Sequence, residues 1–185
     1  TGGEPRQLTF HSSVDDMVGW SKDGNIIFRS RREPPYFQWQ LYTVTLEGSN
    51  PERLPYKRAA NITYEPNGKR SAIVPILFGY HPWKRYRGGW REKIWVGNPD
   101  IPEYNLVNPS AGNTSSPMWA DDGKIYFVSD STGRSNFWSM TPDGSNLTQV
   151  TNYNKYDVRW PSLDSDRIIF QYGMDIVIHH IRSGE

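Results

Sequence analysis

The amino-acid sequence predicts an all-β fold, a β-propeller of four-stranded antiparallel blades, on two observations. First, one pattern occurs four times: an aromatic anchor, a polar turn and a short apolar run rich in β-branched residues. The anchors, Trp20, Tyr64, Trp119 and Trp160, lie 44, 55 and 41 residues apart, and a period of about 40 to 50 residues is typical of propeller blades. Second, 16 Gly and 14 Pro among 185 residues are expected for many short strands joined by turns.

Each repeat predicts the same order of strands. The anchor ends the innermost strand, an Asp-Gly or Asn-Gly turn follows, and the apolar run forms a second strand that packs on both faces. Third strands are predicted at Gln40–Thr45, Lys93–Val96, Asn136–Met140 and Asp175–Ile178, and fourth strands at Glu52–Tyr56 and Leu147–Thr151.

The two ends of the sequence fit into the same scheme. Arg6–Phe10 resembles the fourth strand Leu147–Thr151, whereas the last repeat stops after its third strand. We therefore predict one propeller domain, or part of one, with an outer strand at 1–10 and blades at approximately 11–56, 57–108, 109–152 and 153–185. Two arrangements stay open. The outer strand closes a four-bladed ring by pairing with the last blade, or the chain is part of a larger, six-bladed propeller.

Composition narrows the classes of partner. Lys and Arg number 21 and Asp and Glu 20, so the net charge of +1 gives no reason to expect nucleic acid or a membrane as partner. The absence of cysteine excludes disulfides, thiolate metal sites and a Cys nucleophile. It leaves the compartment open, with the cytoplasm slightly favoured over the periplasm.

Catalytic and metal motifs are absent from the sequence. No Gly-x-Ser-x-Gly elbow occurs, and the four histidines do not have the spacing of a zincin site. His179 and His180 fall on a predicted strand, where neighbouring side chains point to opposite faces and cannot share one metal ion. We therefore expect no catalytic residue, metal site or cofactor within the chain.

The repeats resemble a known superfamily. The turn at Trp20–Gly24, the segment Asn136–Ser145 and the strand Leu147–Thr151 resemble the TolB-like, WD40-like (PD40) repeats of TolB, prolyl oligopeptidases and tricorn proteases. In the second repeat, Lys84–Gly89 leading into Lys93–Val96 resembles the N-terminal propeller of tricorn-type proteases. The tricorn resemblance implies a six-bladed, non-catalytic propeller, with peptide hydrolysis performed by Ser and His residues of downstream domains.

The insertion in the second repeat is both basic and aromatic. Its predicted peptide-binding residues are Trp83, Lys84, Arg85, Arg87, Trp90 and Arg91. Guanidinium groups bind carboxylates and aromatic rings stack on cations, so the C-terminal carboxylate of a peptide is a fitting ligand. The tricorn resemblance also implies arginines that hold this carboxylate, with Arg85 and Arg87 as candidates. The alternatives are a solvated hairpin whose basic side chains cover Trp faces and, less favoured, a site for single-stranded nucleic acid.

A second insertion, between the second and third strands of the first repeat, is the other candidate surface. Its candidate residues are Arg31, Arg32, Tyr36 and Trp39. Loops of this kind often shape a binding face, and the aromatic side chains could stack on a sugar or a peptide side chain. The alternative is that these side chains pack beneath the loop as a small satellite core.

Together these features predict a non-catalytic propeller module of a tricorn-like serine peptidase that guides or anchors peptide substrates. The alternatives are a TolB-like scaffold for protein–protein interaction and, as a minor possibility, a carbohydrate-binding propeller. The predicted partners are peptides or a protein, with neither nucleic acid nor a membrane. The sequence leaves open whether the protein forms an oligomer and whether the chain is part of a larger parent chain.

Overall fold

Four antiparallel β-sheets form the fold in the computed structural model, which describes residues 3–76, 84, 86–101, 103–107 and 112–184. Within these residues the strands are β1 (Asp15–Trp20), β2 (Ile26–Ser30), β3 (Gln40–Val44), β4 (Glu52–Arg53), β5 (Asn61–Tyr64), β6 (Ser71–Val74), β7 (Trp95–Gly97), β8 (Tyr104–Leu106), β9 (Thr114–Trp119), β10 (Ile125–Ser129), β11 (Asn136–Met140), β12 (Thr148–Gln149), β13 (Val158–Asp164), β14 (Arg167–Tyr172) and β15 (Asp175–His180). The same residues contain no helix that is long and apolar enough to cross a membrane.

Each sheet is a meander in which consecutive strands are hydrogen-bonded neighbours. Blade 1 contains β1–β4, blade 2 contains β5–β8, blade 3 contains β9–β12 and blade 4 contains β13–β15. In blades 1 to 3 the turn after the innermost strand places Gly24, Gly68 or Gly123 at a φ of 71° to 80°, a conformation that glycine adopts readily. The predicted all-β propeller of four blades is confirmed, and the third strands agree with their predicted positions to within two residues.

The hydrophobic core lies between neighbouring blades. Ile27 and Leu41 of blade 1 pack against Ile62 and Ile73 of blade 2. Further buried clusters join blade 2 to blade 3 and blade 3 to blade 4, and their largest side chains are Ile94, Phe127, Met140, Phe137, Ile168 and Phe170. The strands β6 and β10 are buried along their whole length, as expected for second strands that pack on both faces.

Blade 4 differs from the other blades because its outer face is uncovered in the described structure. Ile169, Ile176 and Ile178 are 38%, 75% and 47% exposed, and they lie opposite or diagonal to one another on β14 and β15. The alternation of exposed and buried residues along β14 follows from packing against blade 3 on one face only.

The N-terminal segment does not form the strand predicted at Arg6–Phe10. Residues 3–14 have no regular structure, and the first strand begins at Asp15. A strand needs a hydrogen-bonded neighbour, and within the described chain β15 pairs with β14 alone. The pairing of this segment with the last blade, which the closed-ring alternative requires, is therefore absent from the described residues.

Blade 4 also corrects the prediction for Trp160. Trp119 pairs with Ile125 at the end of β9, and the corresponding pair in blade 4 is Leu163 with Ile168. Trp160 lies three residues earlier, where two residues of β13 face one residue of β14 in a β-bulge. Blade 3 has the same bulge at Ser116, so Trp160 corresponds to Ser116 and Leu163 takes the place of the anchor in blade 4, which the sequence pattern alone did not reveal.

Candidate functional site

An open cleft of about 1060 Å³ lies between the four innermost strands, β1, β5, β9 and β13. Because every blade repeats the same strand order, these strands all begin at one end of the cleft. We define this end as the upper rim, marked by Asp15, Asn61, Asn113 and Asp157. The connections between second and third strands also begin and end at the upper rim, so the described residues of both predicted binding segments belong to this end of the cleft.

The insertion of the second repeat that carries Lys84, Arg87, Trp90 and Arg91, here called the basic segment, reaches across the upper rim to blade 4. The Lys84 ammonium Nζ lies 2.8 Å from Oδ1 and 2.7 Å from Oδ2 of Asp157. Oδ1 of Asp157 also accepts a 3.0 Å hydrogen bond from the backbone N–H of Ser135. Burial opposes ionisation of Asp157, but the hydrogen bonds from Lys84 and Ser135 outweigh it and lower the pKa of the carboxyl group.

Other residues of the basic segment take up different positions at the rim. Trp90 is half exposed, and the guanidinium of Arg58 lies 5.4 Å from the centre of its ring. Arg87 is exposed and Arg91 is partly buried, and no ion pair between described residues involves either of them. The predicted residues Trp83 and Arg85 lie outside the described residues.

The end of the basic segment is anchored to blade 3. The backbone carbonyl of Glu92 accepts hydrogen bonds from the N–H and the hydroxyl of Thr114, at 3.1 Å and 3.2 Å. Next to it, Asn113 donates two hydrogen bonds to the carboxylate of Asp130, at 2.8 Å and 3.0 Å. These buried contacts fix the segment between the start of β9 and the mouth of the cleft.

The second predicted segment is divided into a packed part and an exposed part. Trp39 lies beneath two guanidinium groups, those of Arg31 at 4.1 Å and Arg29 at 5.2 Å from its ring centre. In contrast, Tyr36 and Phe37 are 63% and 67% exposed. Trp39 thus fits the satellite-core alternative, whereas the aromatic tip of the loop does not.

Two ion pairs tie this loop and β2 to the upper rim. Arg32 binds Asp15 at 2.5 Å and also lies 5.0 Å from the ring centres of Phe28 and Tyr42. Arg29 binds Asp16 at 3.2 Å. Burial disfavours the charged form of Asp15, but hydrogen bonds from Arg32, Ser30 and Thr9 outweigh it and lower its pKa. Arg32 therefore has a carboxylate partner within the protein.

Among the residues that the structure describes, no group of three or more His, Asp or Glu is arranged to hold a metal ion. His179 is buried and His180 exposed, so the two side chains lie on opposite faces of β15 as expected. Burial lowers the pKa of His179, which favours the neutral ring.

Trp160 is the residue of the cleft whose position sequence reasoning missed. It lines the cleft with 64% of its surface exposed, and its φ is 51°. The equivalent position in β9 is Ser116, with a φ of 49°, and both residues precede a proline. The shared residue-Pro pairs at 116–117 and 160–161 were the available signal for a bulge.

Comparison with known proteins assigns the chain to a family. Residues 1–185 match the family model described as the tricorn protease N-terminal beta propeller domain. The chain belongs to this family. The family match covers all four blades, including the basic segment on which the tricorn resemblance was based.

Individual relatives support the tricorn assignment. The chain is 30% identical over 182 residues to the tricorn protease homolog of Saccharolobus solfataricus, which covers 96% of the chain and 16% of that protein. The crystal structure of the tricorn protease superposes with a TM-score of 0.81 at 30% identity, over 92% of this chain and 16% of that one. The chain thus spans a small part of the length of these relatives.

A TolB protein shares the fold. TolB from Acinetobacter baumannii has a TM-score of 0.67 at 14% identity, over 92% of this chain and 42% of that one. At this level of identity the similarity shows the architecture alone.

Proposed function

We propose that the chain is a non-catalytic propeller module of a tricorn-like serine peptidase, and that it anchors peptides by their C-terminal carboxylate at the upper rim. One observation carries this proposal: the basic segment places Lys84 over an open cleft and in contact with a carboxylate. Membership of the tricorn family supports the peptidase context.

The contact between Lys84 and Asp157 indicates the chemical group that Lys84 can bind, which is a carboxylate. Both oxygens of the Asp157 carboxylate lie within 2.8 Å of one ammonium group, and a peptide C-terminus presents the same group. Charge-assisted hydrogen bonds of this kind are about twice as strong as neutral ones. Arg87 and Trp90, both exposed and three and six residues after Lys84 in the sequence, offer a second cation and a ring for stacking.

The shape of the site suits an extended chain. A cleft of about 1060 Å³ can hold several residues of a peptide and is open to solvent along the rim. A bound peptide with its C-terminus at Lys84 would run down the cleft between the innermost strands. This arrangement holds and directs a peptide without requiring a nucleophile.

Calorimetric titration with two matched peptides tests the proposal. A short peptide with a free C-terminus and its amidated twin are titrated into the chain at low salt. We expect saturable binding of the free acid and binding about tenfold weaker, or none, for the amide, because the amide lacks the charge that Lys84 and Arg87 recognise. Equal binding of both peptides, or of neither, would contradict the carboxylate anchor.

Two double variants separate a specific site from general charge. Lys84→Ala with Arg87→Ala should reduce affinity for the free acid to that for the amide. The matched control, Lys124→Ala with Arg167→Ala, removes the same net charge from exposed turns at the other end of the blades and should leave affinity unchanged. Equal losses in the two variants would indicate non-specific attraction instead.

A scaffold for protein–protein interaction is the second candidate, favoured by the uncovered isoleucines of blade 4. Exposed apolar patches often mark contacts with another protein surface. Absence of binding to both peptides, together with a stable complex that Ile176→Glu disrupts, would favour this candidate over the peptide anchor.

A further inference from the structure

We infer that Trp160 is a side-chain platform in the cleft that selects peptides with an aromatic or large apolar residue at or near the C-terminus. This inference rests on the proposed carboxylate anchor and adds a substrate preference to it.

The bulge of β13 accounts for the backbone conformation of Trp160 but not for the size of its side chain. A φ of 51° lies in the left-handed region, where a bulky side chain is an outlier that costs free energy. The equivalent bulge in blade 3 holds Ser116 at nearly the same φ, so the bulge itself does not require a large residue. Bulky residues in such a conformation persist only where the surrounding structure holds them, and they are frequent at ligand sites.

Burial does not explain the choice of tryptophan either. Trp160 is 64% exposed, whereas Trp119, the anchor of blade 3, is 5% exposed and packs in the core between blades 2 and 3. An exposed indole gains little from the hydrophobic effect until another apolar group covers it. The bulge therefore holds a large aromatic surface open to the cleft.

The position of Trp160 matches the proposed anchor. Asp157, which binds Lys84, immediately precedes β13, and Trp160 follows three residues later. At a rise of about 3.3 Å per residue, the two Cα atoms lie within about 10 Å of each other. An extended peptide has nearly the same rise. If its carboxylate replaces that of Asp157, one of its last three side chains can therefore reach the indole.

Peptides that differ in the last residue provide the test. Calorimetry compares free-acid peptides ending in Phe and in Ala, binding to the full chain. We expect the Phe peptide to bind about fivefold more tightly, in line with the strength of aromatic pairs. Trp160→Ser should abolish this preference, and because Ser116 occupies the equivalent bulge, serine is compatible with the backbone there. Trp160→Phe should restore most of the preference.

A control tryptophan and the amidated peptides separate the possible outcomes. Trp20→Ser removes an indole of similar exposure, 54%, at the opposite end of the same cleft and should retain the preference. Loss of the preference in Trp20→Ser as well, or its retention in Trp160→Ser, would overturn the inference while the carboxylate anchor stands. If free acids bind no better than amides, the anchor itself fails and the inference fails with it.

Discussion

Lys84 is neutralised by a carboxylate 73 residues further along the chain, that of Asp157. A bound peptide carboxylate would compete with Asp157 for the same ammonium group. The side chain of Lys84 is 39% exposed and that of Asp157 16%, so we expect the internal pair to be of moderate strength and replaceable. A peptide carboxylate must therefore bind Lys84 more strongly than Asp157 does in order to displace it.

Removal of this internal competitor should strengthen peptide binding. In Asp157→Asn we expect the affinity for free-acid peptides to rise about two- to fivefold, the range that a partly exposed ion pair contributes. Calorimetry measures the change, with Asp164→Asn as control because its ion pair with Arg167 lies in an exposed turn. A fall in affinity would show that Asp157 instead positions Lys84 for binding.

At the residue scale, the sequence predicted the cations but not their partners. Lys84, Arg87 and Trp90 stand out as a local cluster of charge and aromatic rings. Their contacts depend on the tertiary arrangement, because Asp157 precedes β13 in blade 4 and Arg58 lies in the connection between β4 and β5. The position of Trp160 in the cleft was not predicted, because its bulge forms by pairing with β14 and the residue-Pro pair at 160–161 was its one signal in the sequence.

At the scale of elements, the loop between β2 and β3 combines a packed base with an exposed tip. Trp39 is covered by Arg29 and Arg31, whereas Phe37 projects from the surface. Trp39→Ala should therefore lower the free energy of unfolding by about 1–2 kcal/mol, since two cation–π contacts and buried area are lost. Phe37→Ala should change it by less than about 0.5 kcal/mol.

Urea denaturation of the two variants measures these free energies, and peptide titration should show unchanged binding for both. Equal destabilisation would mean that the tip is packed in solution. A loss of peptide affinity in Phe37→Ala would instead assign a binding role to this loop, as the sequence allowed.

A cluster of tyrosines joins blade 1 to blade 2. The hydroxyl of Tyr104 lies 2.5 Å from that of Ser71 and 3.4 Å from that of Tyr56. Burial raises the pKa of Tyr56 to about 12 and also raises the pKa values of Tyr64 and Tyr104. A pKa that is higher in the folded state stabilises the fold below pH 10, and this contribution is lost as the pH rises towards 12.

Alkaline titration should reveal this coupling. We expect the free energy of unfolding to fall between pH 10 and pH 12. Tyrosinate absorbance should appear at a higher pH in the folded protein than in the unfolded chain. In Tyr56→Phe the loss of stability over this range should be shallower, since one buried ionisable hydroxyl is gone. An identical pH dependence in the variant would exclude Tyr56 from the transition.

The second and third strands were predictable because their signals are local: apolar runs, Asp-Gly turns and aromatic anchors. The segment Arg6–Phe10 also has a strand-like sequence, but strand formation depends on a neighbour that the described structure does not provide. The sequence pattern therefore predicted a strand correctly where a short turn connects that strand to its hydrogen-bonded neighbour.

At the scale of the whole molecule, the period of 41 to 55 residues predicted the number and the kind of blades. Repetition fixes the architecture because each blade buries its faces against its neighbours, as the three inter-blade clusters show. The same repetition brings the four innermost strands around one cleft. The site arises where non-repeating insertions meet the rim of this repeating structure.

A crystal structure of the chain with a free-acid peptide ending in Phe would test the carboxylate anchor most directly. We predict that the terminal carboxylate lies within hydrogen-bond distance of Lys84 Nζ, in place of the Asp157 carboxylate, with the peptide extending into the cleft. A peptide bound elsewhere, or bound in the cleft with its carboxylate in solvent and the contact between Lys84 and Asp157 intact, would contradict the proposed function.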